Sequence, residues 1–347
     1  MKTINTKLIL KSALVVVILL AIQGVSFAQD EEESGLEITG SVDTYYRVNL
    51  NAPNDDDAVA PGTSFANQPG FALGMANLIV SKSGEKTGFV ADLVFGPRGT
   101  DAVFASTTAS SSIVNQLYAY WNVSDAVTLT IGNFNTFLGY EVISPTANYN
   151  YSTSYMFSYG PFSHSGLKAD IALGEASLML AALNPTDFTD FNPVGKYVFG
   201  AQLGYGGAYL NTILSDDFYQ VDLTAGWDLS DALYFGVNAT TAKDTFFGAA
   251  LYLQNSFSDD FSMGVRGEYF SQEDDGLGAL PDFSGQGGPM ATNVIDLTLS
   301  ANYSAGDLTF IPEVRIDIYD EDVVPNSAKD DAGSSLASFV LAAVYAF

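Results

Sequence analysis

Apolar and polar residues alternate with a period of two along most of this chain. In the stretch Leu36 to Leu50, the residues Leu36, Ile38, Gly40, Val42, Thr44, Tyr46, Val48 and Leu50 share one face, and Glu37, Thr39, Ser41, Asp43, Tyr45, Arg47 and Asn49 share the other. Strict alternation marks a strand with one side in an apolar medium and the other against water. Sixteen such segments can be traced: 36–50, 70–82, 87–97, 113–123, 127–133, 165–173, 177–183, 197–205, 208–214, 218–228, 232–241, 245–255, 261–271, 292–303, 308–319 and 336–347. Their lengths bracket the roughly 9–11 residues that carry a tilted strand across a bilayer. The connections alternate as well. Long ones span 51–69, 98–112, 134–164, 184–196, 272–291 and 320–335, and short ones fall around Ser83, Ser124, Gly174, Gly206, Ser230, Ser258 and Ala305. Two links on the long side, near Ser215 and Lys243, are short. The pattern predicts an all-β fold: one closed antiparallel transmembrane β-barrel of about 16 strands (14–18), with short turns at one rim and long loops at the other. A large β-sandwich would also alternate, but it has no reason to keep that parity of connections.

The turns carry a near repeat. "WNVSDAVTLTIG" (Trp121 to Gly132) and "WDLSDALYFGVN" (Trp227 to Asn238) each place a tryptophan three residues before the Ser of a Ser-Asp-Ala turn, on the parity of the apolar face. Aromatics at one height beside short turns are expected of an interfacial girdle, so Trp121 and Trp227 are assigned to it. The last segment, "FVLAAVYAF", puts Phe339, Leu341, Ala343, Tyr345 and Phe347 on one parity. If this strand closes the barrel against the first, pairing removes its free edge and lipid covers that face. Its terminal aromatics, Tyr345 and Phe347, are similar to the assembly signal of bacterial outer-membrane proteins.

Residues 1–28 read as a secretory signal peptide. Lys2, Lys7 and Lys11 precede the short apolar run Ala13 to Ile22, and Ser26-Phe27-Ala28 offers a cleavage site after Ala28. The apolar run is too short to span a bilayer as a helix. Residues 29–347 then form a single barrel domain holding 10 Lys+Arg against 40 Asp+Glu, a formal charge of −30. That balance argues against nucleic acid as a partner. Only 15% of the chain is charged, below the roughly 25% of globular proteins, which fits a surface that meets lipid. The expected setting is the bacterial outer membrane, with lipid, lipopolysaccharide and the outer-membrane assembly machinery as partners.

The region Tyr140 to Leu173 is more specific. Its pieces "NYNYSTSYMF" and "GPFSHSG", with "GFVADLVFGPRG" (Gly88 to Gly99) and "QLYAYWNV" (from Gln116) upstream, resemble the OmpL-like β-barrel porins of Bacteroidetes and other Gram-negative bacteria. The resemblance covers residues 36 to 210 well and the remainder mainly by barrel pattern. It implies a channel rather than a chemistry.

In a channel the functional surface is the lumen. The charged residues on polar faces are the pore-lining candidates: Asp43, Arg47, Asp92, Lys168, Asp170, Asp222, Arg266, Glu268, Asp296, Glu313, Arg315 and Asp317. Opposite charges at i, i+2 or i+4 on one strand face could build acidic and basic ladders facing each other across a constriction, or simply pair locally on the wall. The long connection 134–164 is the expected constriction loop, with Tyr140, Glu141, Tyr149, Tyr151, Tyr155 and Tyr159 as its candidates. Its tyrosines also suit stacking on sugar rings. His164, the one histidine, is adjacent to serines whose side chains point to the opposite face of a strand, so no nucleophile–base pair is expected and the chain is read as not an enzyme. No cofactor or metal is expected. The acidic runs Asn54 to Asp57, Glu273 to Gly276 and Tyr319 to Asp322 read as solvated loops, or as carboxylates that divalent cations bridge to lipopolysaccharide. The expected function is passive, cation-preferring diffusion of ions and small hydrophilic solutes. The alternatives are a substrate-specific channel, for example for saccharides, and a plugged structural or adhesive barrel. A homotrimer is compatible with all three.

Overall fold

A computed structural model describes residues 35–273, 277–282 and 288–347. The signal-peptide reading and most of the Glu273 to Gly276 run lie outside the described residues. Sixteen antiparallel strands close into a barrel, each paired with its neighbours in sequence. They are β1 (Glu37–Asn49), β2 (Gly70–Ser83), β3 (Thr87–Phe95), β4 (Val114–Ser124), β5 (Val127–Asn135), β6 (Ser163–Leu173), β7 (Ala176–Leu183) and β8 (Val198–Tyr205). They continue with β9 (Ala208–Leu214), β10 (Tyr219–Asp228), β11 (Leu233–Ala242), β12 (Phe246–Ser258), β13 (Phe261–Gln272), β14 (Asn293–Ala305), β15 (Leu308–Tyr319) and β16 (Ser335–Ala346). The strands lie within a few residues of the sequence expectation. The largest shift is at the end of β12, which runs on to Ser258, and at the ends of the long loop β5 runs on to Asn135 and β6 starts at Ser163.

The alternation reads out directly. On β1, Ser41, Asp43, Tyr45, Arg47 and Asn49 are buried inside, while Ile38 and Val42, with Leu36 and Leu50 just beyond its ends, are exposed outside. On β14, Asp296, Thr298 and Ser300 are buried and Ile295, Leu297 and Leu299 are exposed. The outward positions form the apolar belt that lipid covers. Seven short turns occupy one rim. One of the two-residue turns, Gly206-Gly207, has φ of 59° and 82°, and two positive φ values in a two-residue hairpin suit glycine. Trp121 and Trp227 sit beside turns on this rim, and the Trp227 indole N–H donates to the Gly206 carbonyl at 2.8 Å.

β16 closes the barrel between β15 and β1, with Val42 opposite Tyr345 and Tyr46 opposite Leu341. Gly40 and Phe347 exchange both backbone hydrogen bonds, each 3.0 Å, so pairing runs to the last residue. Its outward residues Leu341, Tyr345 and Phe347 are exposed. Its inward residues Leu336, Val340, Ala342 and Val344 are apolar as well and are buried. They are dry because material fills the lumen. The connection 136–162 folds inside, and the apolar clusters of the protein lie between it and the wall. One gathers Tyr155, Met156, Phe246, Phe270, Leu280, Val323 and Leu336, and another gathers Tyr45, Tyr151, Ile311, Val340, Ala342 and Val344. Among the described residues two short α-helices add to the interior: α1 (Pro97–Ala102), and α2 (Tyr155–Tyr159) within the long loop.

Candidate functional site

The loop 136–162 is built into the barrel by its own backbone. Its tyrosines, asparagines and serines leave many main-chain amides without a helix or strand partner, and buried amides need acceptors. The wall supplies them as carboxylates. Glu313 accepts from the amides of Tyr151 (2.8 Å) and Ser152 (3.1 Å), and from the Ser300 hydroxyl at 2.7 Å. Glu268 accepts from the amides of Tyr155 and Met156, both at 2.8 Å. Those two amides open α2, and Ser154 Oγ accepts the next free one, from Phe157, at 3.1 Å. A wall carboxylate and a capping serine thus satisfy three of the donors that a helix N-terminus leaves open. Asp222 accepts from the Gly139 amide at 3.0 Å and from Asn211 and Asn238. The Tyr151 hydroxyl donates to Asp43.

Guanidinium groups hold the loop carbonyls. Arg266 donates to Ser152 O (2.8 Å), to the loop's own Glu141 (2.7 Å) and to Asp296 (2.7 Å). Arg315 donates to Thr153 O at 2.8 Å and is paired with Asp317 and Asp296 at 2.7 and 3.2 Å. Arg98, on α1, reaches Ile143 O at 2.9 Å and Tyr151 O at 3.3 Å, with its charge 4.4 Å from the centre of the Phe65 ring. Charge-assisted bonds of this kind, shielded from water, are the strong ones.

Close packing adds to the bonding. Tyr140 lies against Gly236, and Tyr149 against Gly264, where a Cβ would come within 2.6 Å of the Tyr140 hydroxyl and 2.5 Å of the Tyr149 ring. Phe137 and Met156 sit in the same way over Gly200 and Gly248. The loop follows hollows that bare backbone leaves in β8, β11, β12 and β13.

Of the twelve charged candidates, ten are buried beneath the loop or within the wall, and Lys168 and Asp170 are the two whose side chains keep partial exposure, 25% and 43%. The facing-ladder expectation does not match this arrangement. Arg266 and Glu268 are on β13, Asp296 on β14, Glu313, Arg315 and Asp317 on β15, and Asp43 and Arg47 on β1. These strands are contiguous through β16, so the charges crowd one side of the barrel and pair laterally or with the loop. Arg47 turns to Asn49 and to the carbonyl of Val59. Asp92 is apart, on β3, held by Asn77, Asn115 and Gln116. Lys168 and Asp170 pair at 2.9 Å on β6. Of the loop candidates, Tyr151 and Tyr155 are fully buried and Glu141 is buried, bonded to Arg266 and to the Ser154 amide. Tyr159 is half-buried and donates to Gly62 O at 2.7 Å.

Arg98 was not among the candidates. It lies in "GPRG", a connection in which an arginine is expected to be solvated, and its flanking glycine and proline were the one signal that something packs there. His164 is buried, with Nε2 3.0 Å from the Thr136 hydroxyl and the ring against Phe137, where the loop leaves the wall. Asp55 and Asp57 are bonded to Lys329 at 2.8 and 2.7 Å rather than grouped around an open site, and no cluster of three metal-binding side chains occurs among the described residues.

On the short-turn side of the loop lies a cavity of about 570 Å³, walled by Tyr140, Tyr149, Tyr234, Tyr252, Gln254 and Asn302 among others. Tyr140 and Tyr252 stack at 4.1 Å, and the Tyr140 hydroxyl donates to that of Tyr234 at 3.0 Å.

Solved structures share this architecture. Pseudomonas putida OprB, in a high-pH structure, superposes with a TM-score of 0.63 at 12% identity, over 90% of this chain and 94% of that one. Salmonella typhi OmpF, in complex with daunomycin, gives 0.57 at 11% identity over 92% and 100%. Vibrio cholerae OmpT lacking loop L8 gives 0.54 at 12% identity over 91% and 100%. At these identities the likeness is one of fold. No curated protein matches the sequence. Residues 35–347 match the family model described as "Putative beta-barrel porin-2, OmpL-like". With that match over nearly the whole barrel, the chain belongs to the OmpL-like β-barrel porins of the bacterial outer membrane.

Proposed function

We propose that this porin is a passive, cation-preferring channel whose constriction is the clamped loop 136–162. The observation that carries the reading is the balance of buried charge inside the barrel. Eight carboxylates (Asp43, Asp92, Glu141, Asp222, Glu268, Asp296, Glu313 and Asp317) stand against four guanidiniums (Arg47, Arg98, Arg266 and Arg315). A surplus of fixed negative charge in a narrow, low-dielectric passage raises the local concentration of cations. Inward groups that keep contact with water include Tyr118, Tyr120, Lys168, Asp170 and Gln202 on β4, β6 and β8, and Gln254, Asn302, Ser304 and Thr309 toward the short-turn ends of β12, β14 and β15. Ions pass along these water-contacting groups, within the field of the buried carboxylates. Solutes are small and hydrophilic, and no step of chemistry is required of the protein.

The test is refolded mature protein in a planar bilayer under a tenfold KCl gradient. Steady openings with a reversal potential of cationic sign are expected. A reversal potential of anionic sign overturns the selectivity, and well-folded protein that conducts no ions overturns the channel.

A further inference from the structure

We infer that the cavity on the short-turn side of the loop is a binding subsite for neutral saccharides. The inference rests on the channel reading above, since it places the subsite on the permeation path.

The cavity's size, about 570 Å³, is that of a small-molecule site. Its chemistry is unusual for a charged porin. The one carboxylate in its wall is Glu141, and both its oxygens are already taken, by Arg266 at 2.7 Å and by the Ser154 amide at 2.7 Å. No lysine or arginine lines it among the described residues. An ionic ligand therefore finds no counter-charge there.

What the wall offers is tyrosine rings and neutral hydrogen-bonding groups. Four tyrosines contribute: Tyr140 and Tyr149 from the loop, Tyr234 from β11 and Tyr252 from β12. Tyr140 is held by its stack on Tyr252, its bond to Tyr234 and its seat on Gly236, so the aromatic wall is rigid before any ligand arrives. Fixed aromatic faces flanked by amides suit a molecule with one apolar C–H face and a rim of hydroxyls, which is the description of a pyranose ring.

Two free polar groups support this. The Tyr252 side chain is 2% exposed, yet its hydroxyl has no hydrogen-bond partner among the described residues. A buried hydroxyl left unbonded is costly, so a ligand that bonds it is favoured by that amount. The Gln254 amide, two residues along on the same face of β12, makes no hydrogen bond among the described residues and can both donate and accept. A sugar hydroxyl, which does both, matches either group.

Isothermal titration of the detergent-folded protein with maltose tests this, with polyethylene glycol of matched mass and sodium gluconate as comparison solutes. Maltose is expected to bind in the millimolar range, with at least tenfold weaker binding of gluconate and no heat from the polymer. Tyr252→Phe and Gln254→Ala should each weaken maltose at least fivefold, and the heat-modifiable gel shift of a folded barrel confirms that each variant is assembled. Absence of maltose heat in folded wild-type protein overturns the subsite, as does equal binding of gluconate or undiminished affinity in both variants. Because binding is measured without current, KCl conductance of the same preparation judges the channel reading separately.

Discussion

Glu268→Gln isolates the clamp from the barrel. In the native protein each carboxylate oxygen accepts one loop amide, from Met156 and from Tyr155, at 2.8 Å. Glutamine keeps the shape but turns one oxygen into an NH₂ group. One of the two amides then faces a donor, and a buried amide left unsatisfied costs about 1–3 kcal/mol. The surviving bond also loses its charge-assisted share, as ionised acceptors bind roughly twice as strongly. Against this, Glu268 lies directly opposite Asp296 in the β13–β14 register, so neutralising it relieves a like-charge contact in the wall. The two effects act on different states. The wall contact persists whether the loop is docked or free, but the amide bonds exist only when it is docked. The docked state should therefore lose about 1.5–3 kcal/mol, raising the undocked population ~10- to 100-fold. The loop contains no lysine or arginine but is rich in tyrosine and phenylalanine, so chymotrypsin reports undocking where trypsin cannot. The variant should be cut in the loop at least tenfold faster, and its single channels should show added noise or higher conductance steps. Chymotrypsin resistance and current traces identical to wild type would refute the idea that Glu268 latches the loop.

Three further outcomes are expected. Gly236→Ala drives a methyl group to within 2.6 Å of the Tyr140 hydroxyl, and overpacking of this kind should lower stability to urea by about 1–3 kcal/mol and loosen the loop; an unchanged unfolding midpoint would count against the seating. Burial pushes the Asp187 carboxyl up to about 6 even though it accepts the Phe162 and Ser163 amides. Its folded pKa lies above the unfolded one, so the native state binds the extra proton and this group's contribution to stability rises as pH falls through about 6 toward 4 and is lost as pH rises. Asp187→Asn suits the residue's φ of 62° and should abolish that share of the difference between melting temperatures at pH 5 and pH 7; an identical difference in the variant would show that Asp187 does not titrate there. Deleting Phe347 removes both hydrogen bonds to Gly40 at the seam and should slow or reduce closure, read as a smaller heat-modifiable fraction after refolding; full recovery of the folded band would show that the seam does not need its last residue.

The strands were legible because a barrel wall is a repeating local problem. Each residue of β1 or β14 faces lipid or lumen by parity alone, and the Ser/Asp/Gly turns show where the chain reverses. Strand number, the two rims and the outward face of β16 all follow from those near-neighbour rules. The loop was legible by its length and its tyrosines. Its attachment was not. Glu268 and Glu313 look like wall charges facing water, because their partners are backbone amides, which every residue carries and no letter of the sequence distinguishes. Arg98 looked like a loop residue for the same reason, since it is held by the carbonyls of Ile143 and Tyr151. Closure set the rest. Once β16 joins β15 to β1, the charges of β13–β15 and β1 become near neighbours on one side of the wall, and a register that spans the whole chain decides which of them pair. Local alternation therefore determined the container, while its contents depended on contacts between residues as far apart as Tyr151 and Glu313, which exist only when the barrel is closed and the loop is inside it.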